Sequence, residues 1–196
     1  MERNPYAAPT TDDAQTAALE GQPWFAVGGR KLLVMSFFTF GLYMVHWFER
    51  QYHFQKKVRK ERTIPLARGI FSVFFANDLF RRVEVAANQV DVEHGWNASA
   101  MTSVFIVSAV LNRILDRASA KLTGPTSNVL AMTSLLFIAG FVYPLFRVQG
   151  TVNEVLARTN PGFERNESFT VWNWILIGLG GLFLVLVAIG LAMPDG

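Results

Sequence analysis

His46, Glu49 and His53 stand three and four residues apart, so a helix would carry all three on one face. Two imidazoles and a carboxylate in that register have the chemistry to hold a divalent metal or relay protons. They also read as ordinary side chains of a membrane–water boundary, and on that reading no metal and no cofactor are expected. Glu93-His94 is a weaker pair of the same kind. Arg113 and Asp116, three apart, share a face and can pair, and charges at a helix end usually snorkel to headgroups. The chain has no Gly-x-Ser-x-Gly elbow, no His-Glu-x-x-His, no phosphate loop, no dinucleotide fingerprint and no cysteine. A non-enzymatic protein without catalytic residues is the expectation.

The denser chemistry is cationic. Arg50, Lys56, Lys57, Arg59, Lys60 and Arg62 crowd one stretch against only Glu49 and Glu61. Such a collar is a cytoplasmic flank that stops translocation, or a clamp for anionic lipid headgroups or a partner protein, worth about 1 kcal/mol per cation near the surface. Tyr52 and Phe54 interleave with the cations, but no nucleic-acid-binding module is present to use them, so nucleic acid is not an expected partner.

Apolar blocks must position that collar. Of 196 residues, 51% are hydrophobic and 17% charged, and the apolar ones gather into uncharged runs of membrane length. The fold class expected is all-α integral membrane: four transmembrane helices near 32–48, 98–115, 127–146 and 169–193, with an amphipathic interfacial helix at 64–80. Residues 1–23 read as a disordered tail, lacking surface to offset the entropy of ordering, and 24–196 as one membrane domain. Nothing in Met1–Gln22 has the apolar core of a signal peptide, so insertion is expected to depend on the first membrane helix. Trp24 and Phe25 suit a headgroup boundary. Gly41 interrupts the first run as a kink, a close helix contact or the turn of a re-entrant segment. Along 64–80, Ile70, Phe71, Phe74, Phe75 and Leu79 fall on one side and Arg68, Ser72, Asp78, Arg81 and Arg82 on the other. Ser99 with Ser103, or Ala98 with Thr102, allows close helix packing, and Gly178, Gly180 and Gly181 offer a notch in the last helix.

Two halves echo each other faintly. Leu79-Phe80-Arg81 recurs as Leu145-Phe146-Arg147, each expected to close a helix, and Trp96-Asn97 recurs as Trp172-Asn173. A duplicated two-helix unit would leave such a trace.

With four spans, the loops 49–97 and 147–168 hold twelve of the 18 Lys and Arg residues, and the other side holds Arg3, Arg30, Lys31, Arg113, Arg117 and Lys121. The positive-inside rule puts the twelve in the cytoplasm. If 32–48 were re-entrant, Arg3, Arg30 and Lys31 would join them, giving fifteen against three.

Thr39-Phe40-Gly41-Leu42-Tyr43 and Trp47-Phe48-Glu49-Arg50-Gln51 resemble the first helix of uncharacterised bacterial membrane proteins of the DUF4234 type, Thr-x-Gly-x-Tyr-x-x-Tyr-Trp-Phe, with His46 where the pattern has Tyr. Asn4-Pro5-Tyr6-Ala7-Ala8-Pro9 and Arg68-Gly69-Ile70-Phe71-Ser72-Val73-Phe74-Phe75 look like members of the same group. The resemblance implies a multi-pass protein of a Gram-negative inner membrane and brings no reaction or ligand. Partners expected are anionic membrane lipids, an unidentified protein and a second copy of the chain. A small oligomeric transporter or channel is the alternative.

Overall fold

A computed structural model describes residues 23–122 and 124–192. The tail expected over 1–23 therefore lies almost wholly outside the described residues, as does the end of the last helix beyond Ala192. All described secondary structure is helical: α1 Gly29–Phe38, α2 Leu42–Arg59, α3 Pro65–Ile70, α4 Ser72–Gln89, α5 Ala98–Ser119, α6 Pro125–Thr159 and α7 Val171–Ala192. Two of them, α5 over Ala98–Ser119 and α7 over Val171–Gly190, are long and apolar enough to cross a membrane.

The apolar run 32–48 is not one spanning helix. Phe40 (φ 51°) and Gly41 (φ 84°) take left-handed backbone and divide α1 from α2. The ten residues of α1 extend only about 15 Å. The two ends of the run then lie side by side. Gln51 Oε1 accepts from the Phe25 N–H at 3.1 Å and Gln51 Nε2 donates to the Phe25 carbonyl at 3.1 Å. Gln55 Nε2 donates to the Pro23 carbonyl at 2.6 Å. A straight crossing of 32–48 would separate these partners by a bilayer, so the segment enters a helical hairpin and comes back.

The strap at Pro23–Gly28 is the centre of the packing. Trp24, Phe25, Ala26 and Val27 are buried, Val27 completely. Trp24 and Phe25 thus pack inside the protein instead of marking a headgroup boundary. The strap is extended but belongs to no sheet, so side-chain amides satisfy its backbone. Gln149 Oε1 accepts from Trp47 Nε1 (2.6 Å) and Gln51 Nε2 (2.9 Å). Gln149 Nε2 donates to the Phe25 carbonyl (3.2 Å) and to Asn153 Oδ1 (2.9 Å), and Asn153 Nδ2 donates to the Val27 carbonyl (2.9 Å). Gly28 N–H reaches the Asn166 carbonyl at 3.0 Å. Lys31 Nζ donates to Asn166 Oδ1 (2.9 Å) and the Ser168 carbonyl (2.7 Å), and its burial lowers its pKa.

α6 is far longer than the expected 127–146. Neither Pro144 nor Arg147 ends it, and at 35 residues it extends about 52 Å, beyond the roughly 30 Å of a hydrocarbon core. Leu79-Phe80-Arg81 and Leu145-Phe146-Arg147 both lie inside continuing helices, so neither closes one. Their surroundings differ as well: Phe80 is buried and Phe146 exposed.

α5 lies along α6. Ala98, Thr102, Phe105 and Ser108 form the buried stripe of α5, whereas Ser99 and Ser103 are exposed. A Cβ on Gly140 would sit 2.5 Å from Ser108 Oγ, so the small residue sets the approach. Of the glycine notch in α7, Gly180 does the packing. A side chain there would collide with the Phe38 carbonyl, while Gly178 meets nothing.

Gln149→Leu would strand the Trp47 indole N–H and Asn153 Oδ1 in a dry interior and take one acceptor from the Gln51 amide, which keeps its bonds to Phe25. Each orphaned group costs about 1–3 kcal/mol. Denaturant titration of the full chain in detergent should show a loss of several kcal/mol, against at most about 0.5 kcal/mol for a comparable exposed substitution. Gly180→Val should loosen α7 from α1 and expose α7 to limited proteolysis in micelles, with α5 and α6 still protected.

Candidate functional site

The cationic collar occupies the end of α2 and the turn that follows. Lys60 adopts left-handed backbone (φ 52°) and caps α2, and the chain reverses into α3. Gly69 packs onto the Val45 carbonyl, where a Cβ would sit at 2.6 Å, so α3 runs back along α2. Lys56, Lys57, Arg59, Lys60 and Arg62 ring the tip of this hairpin, all exposed. Arg50 is apart from them. Its guanidinium lies 5.5 Å from the centroids of both the Phe25 and Phe54 rings, a cation–π seat that binds it to the strap.

The acidic residues that would neutralise the tip are engaged lower in the hairpin. Glu61 pairs with Arg82 at 2.7 Å and with Arg68 at 3.7 Å, and Asp78 with Arg82 at 3.0 Å and Arg68 at 3.5 Å. The Tyr52 hydroxyl lies 2.8 Å from the Phe75 carbonyl and 3.1 Å from Asp78 Oδ2. Arg68 stacks 4.6 Å from the Tyr52 ring centroid. Among the described residues none of the five tip cations forms a salt bridge, so their charge faces outward.

The expected interfacial helix at 64–80 is two helices broken at Phe71. Ile64, Leu66, Ile70, Phe71 and Phe74 stand on the surface, Phe74 at 80% exposure. Leu79 belongs to the core instead, and Phe75 is half-buried against Tyr52. Of the polar side expected for a single helix, Arg68, Asp78 and Arg82 meet in the four-charge cluster across the break, whereas Ser72 is buried and Arg81 is exposed outside the cluster. Tip cations and exposed aromatic and aliphatic side chains thus occupy one hairpin and its continuation.

His46 and His53 do not converge. The His46 ring packs against Tyr43 at 5.5 Å and edge-on to Phe25 at 6.1 Å, and His53 lies against Phe54. Among the described residues no group of three or more His, Cys, Asp or Glu side chains is placed to hold a metal ion. Arg113 and Asp116 are both exposed near the end of α5 and form no salt bridge with each other. The amides of Gln51, Gln55 and Gln149 are the structural side chains that motif reasoning passes over. Their signal is positional: Gln51 follows Trp47 and Phe48 by one turn, and Gln149 sits between Val148 and Val152 on a buried face.

No protein family, curated protein or solved structure matches the chain.

Burial and then the Asp78 carboxylate push the Tyr52 phenol above its ordinary value. A raised folded-state pKa supplies stability that is complete below the unfolded value of about 10 and fades as pH climbs from there toward the folded value. Tyr52→Phe should lower stability by about 1 kcal/mol at neutral pH through the lost hydrogen bonds. It should also flatten the decline above about pH 10, as measured by parallel unfolding titrations of the two proteins.

Proposed function

We propose that this chain is a non-enzymatic, multi-pass protein of a bacterial inner membrane that binds anionic lipid headgroups through the exposed tip of the α2–α3 hairpin. The observation that carries the reading is the unneutralised charge of Lys56, Lys57, Arg59, Lys60 and Arg62 beside the exposed Ile64, Leu66, Ile70, Phe71 and Phe74, while Arg68 and Arg82 engage Glu61 and Asp78. Phosphate oxygens would take the cations and acyl chains the apolar side chains.

The membrane topology in this reading has three crossings: α5, the uncharged part of α6 up to Phe146, and α7. The segment 32–48 dips in and returns. Its support is the hydrogen bonding of Phe25 to Gln51 and of the strap to Gln149, Asn153 and Asn166, which keeps the strap beside the collar and the 147–168 region. Arg3, Arg30 and Lys31 then share the side of the twelve, and fifteen of the 18 cationic residues face the cytoplasm. The inner-membrane location is what the resemblance of 39–51 to DUF4234-type proteins implies.

Two measurements decide it. The full chain in neutral detergent, offered phosphatidylglycerol, should retain bound lipid in native mass spectrometry, and K56E/K57E/R59E/K60E should retain at least about tenfold less, given about 1 kcal/mol per cation. Equal retention by the two proteins would remove the lipid clamp. Reporter fusions at the N-terminus and after Arg62 should both report the cytoplasm; opposite sides would restore a crossing at 32–48.

A further inference from the structure

Where α6 passes from its uncharged half to its polar half, a cleft opens away from the collar. It has a volume of about 400 Å³ and is lined by Glu93, Arg147, Glu154 and Arg165, with Gly150 and Thr151 among the residues beneath them. Four opposed charges share this small space, yet among the described residues none forms an ion pair with another within 4.0 Å. Arg147 is held by neutral groups, Nη2 donating to the His94 carbonyl at 3.2 Å and Nη1 to the Tyr143 hydroxyl at 3.4 Å. Trp96 Nε1 donates to Thr151 Oγ1 at 2.9 Å and fixes the loop that carries Glu93 against α6. Arg147 is thus held by the scaffold, while Glu93, Glu154 and Arg165 stand exposed around it. Gly150 leaves its face of the helix open, with nothing within 4 Å of where a Cβ would stand.

A ligand that satisfies such a cleft carries both signs. Its anion would take the guanidinium groups of Arg147 and Arg165, and its cation the carboxylates of Glu93 and Glu154. The position selects the source. From Pro125 to Phe146 the helix rises about 33 Å, close to the hydrocarbon thickness of about 30 Å, so Arg147 emerges at the headgroup level. Tyr143 and Phe146, one turn and one residue before it, are exposed toward what would be the acyl chains. We infer that this cleft binds the headgroup of a zwitterionic phospholipid bearing a primary ammonium, of the phosphatidylethanolamine class. The inference rests on the membrane reading above but not on the collar.

Glu154→Gln and Arg165→Gln test it, because both side chains are exposed and neither holds the fold. In neutral detergent, native mass spectrometry of the full chain with phosphatidylethanolamine should show retained lipid. Each variant should retain at least about fivefold less, with phosphatidylglycerol retention unchanged. Phosphatidylcholine, which keeps the phosphate but lacks N–H donors, should be retained less than phosphatidylethanolamine. The collar variant K56E/K57E/R59E/K60E should show the converse pattern, losing phosphatidylglycerol alone, so the two sites fail or stand separately. Wild-type retention of phosphatidylethanolamine by both glutamine variants would overturn the inference, as would equal retention of the choline lipid. Binding of millimolar O-phosphoethanolamine without retention of phosphatidylethanolamine would also overturn it and assign the cleft to a soluble zwitterion.

Discussion

An extended strand buried without a sheet faces a severe constraint, because its peptide groups have no neighbouring backbone to bond. Burying an amide unpaired costs several times what a hydrogen bond returns. Here Pro23–Val27 meets that constraint with the side chains of Gln51, Gln55, Gln149 and Asn153. Gln149 is the hub, since it bonds the strap, α2 and its own helix at once. The positions of α1 and α2 follow from this arrangement. With both ends of 32–48 tied to the same cluster, the only course left for the intervening residues is out and back, and the left-handed pair Phe40-Gly41 supplies the reversal.

The remaining polar chemistry sorts around that centre. On one flank, Glu61, Arg68, Asp78 and Arg82 neutralise each other under the Tyr52 ring, which permits α3 and α4 to pack charged residues beside apolar ones. That pairing leaves the hairpin tip with cations only. On the other flank, Arg147 and Arg165 share a cleft with Glu93 and Glu154 without contact. Along α7, by contrast, Leu179, Leu182, Val185, Leu186 and Ile189 are exposed and only the Gly180 side is covered, a surface suited to lipid far better than to water.

Local features of this architecture are legible in the sequence, and long-range ones are not. The uncharged runs give α5 and α7, and Asn160-Pro161-Gly162 gives the stop of α6. Helical spacing brings Asp78 and Arg82 together, and five of the six cations of the basic cluster fall at the exposed tip. Gly41 announces an interruption, but its three readings differ only in where the chain goes next, which depends on residues over a hundred positions away. Arg147 looks like a terminus because a charge ends an apolar run, with Pro144 just before it; a charge can end an apolar run without ending a helix, and α6 continues through both. Trp24 and Phe25 match a headgroup boundary by type, and only their contacts with α2 and α6 place them inside. The amides that make those contacts have no motif, since Gln and Asn serve as well on a surface as in a core.

The separation between the strap and its partners has a consequence for biosynthesis. Phe25 and Val27 bond to residues 124 and 126 positions later, and Lys31 to residues 135 and 137 positions later. A ribosome delivers the strap early and its binding groove more than a hundred residues later. Until the second half of α6 and the loop at Asn166 have emerged, the first oily segment has neither the length to hold a bilayer nor a completed pocket to fold into. Assembly of this protein therefore closes from its beginning onto its end, and a chain truncated before Asn153 would carry an early segment with nowhere to dock, a natural substrate for quality-control proteolysis.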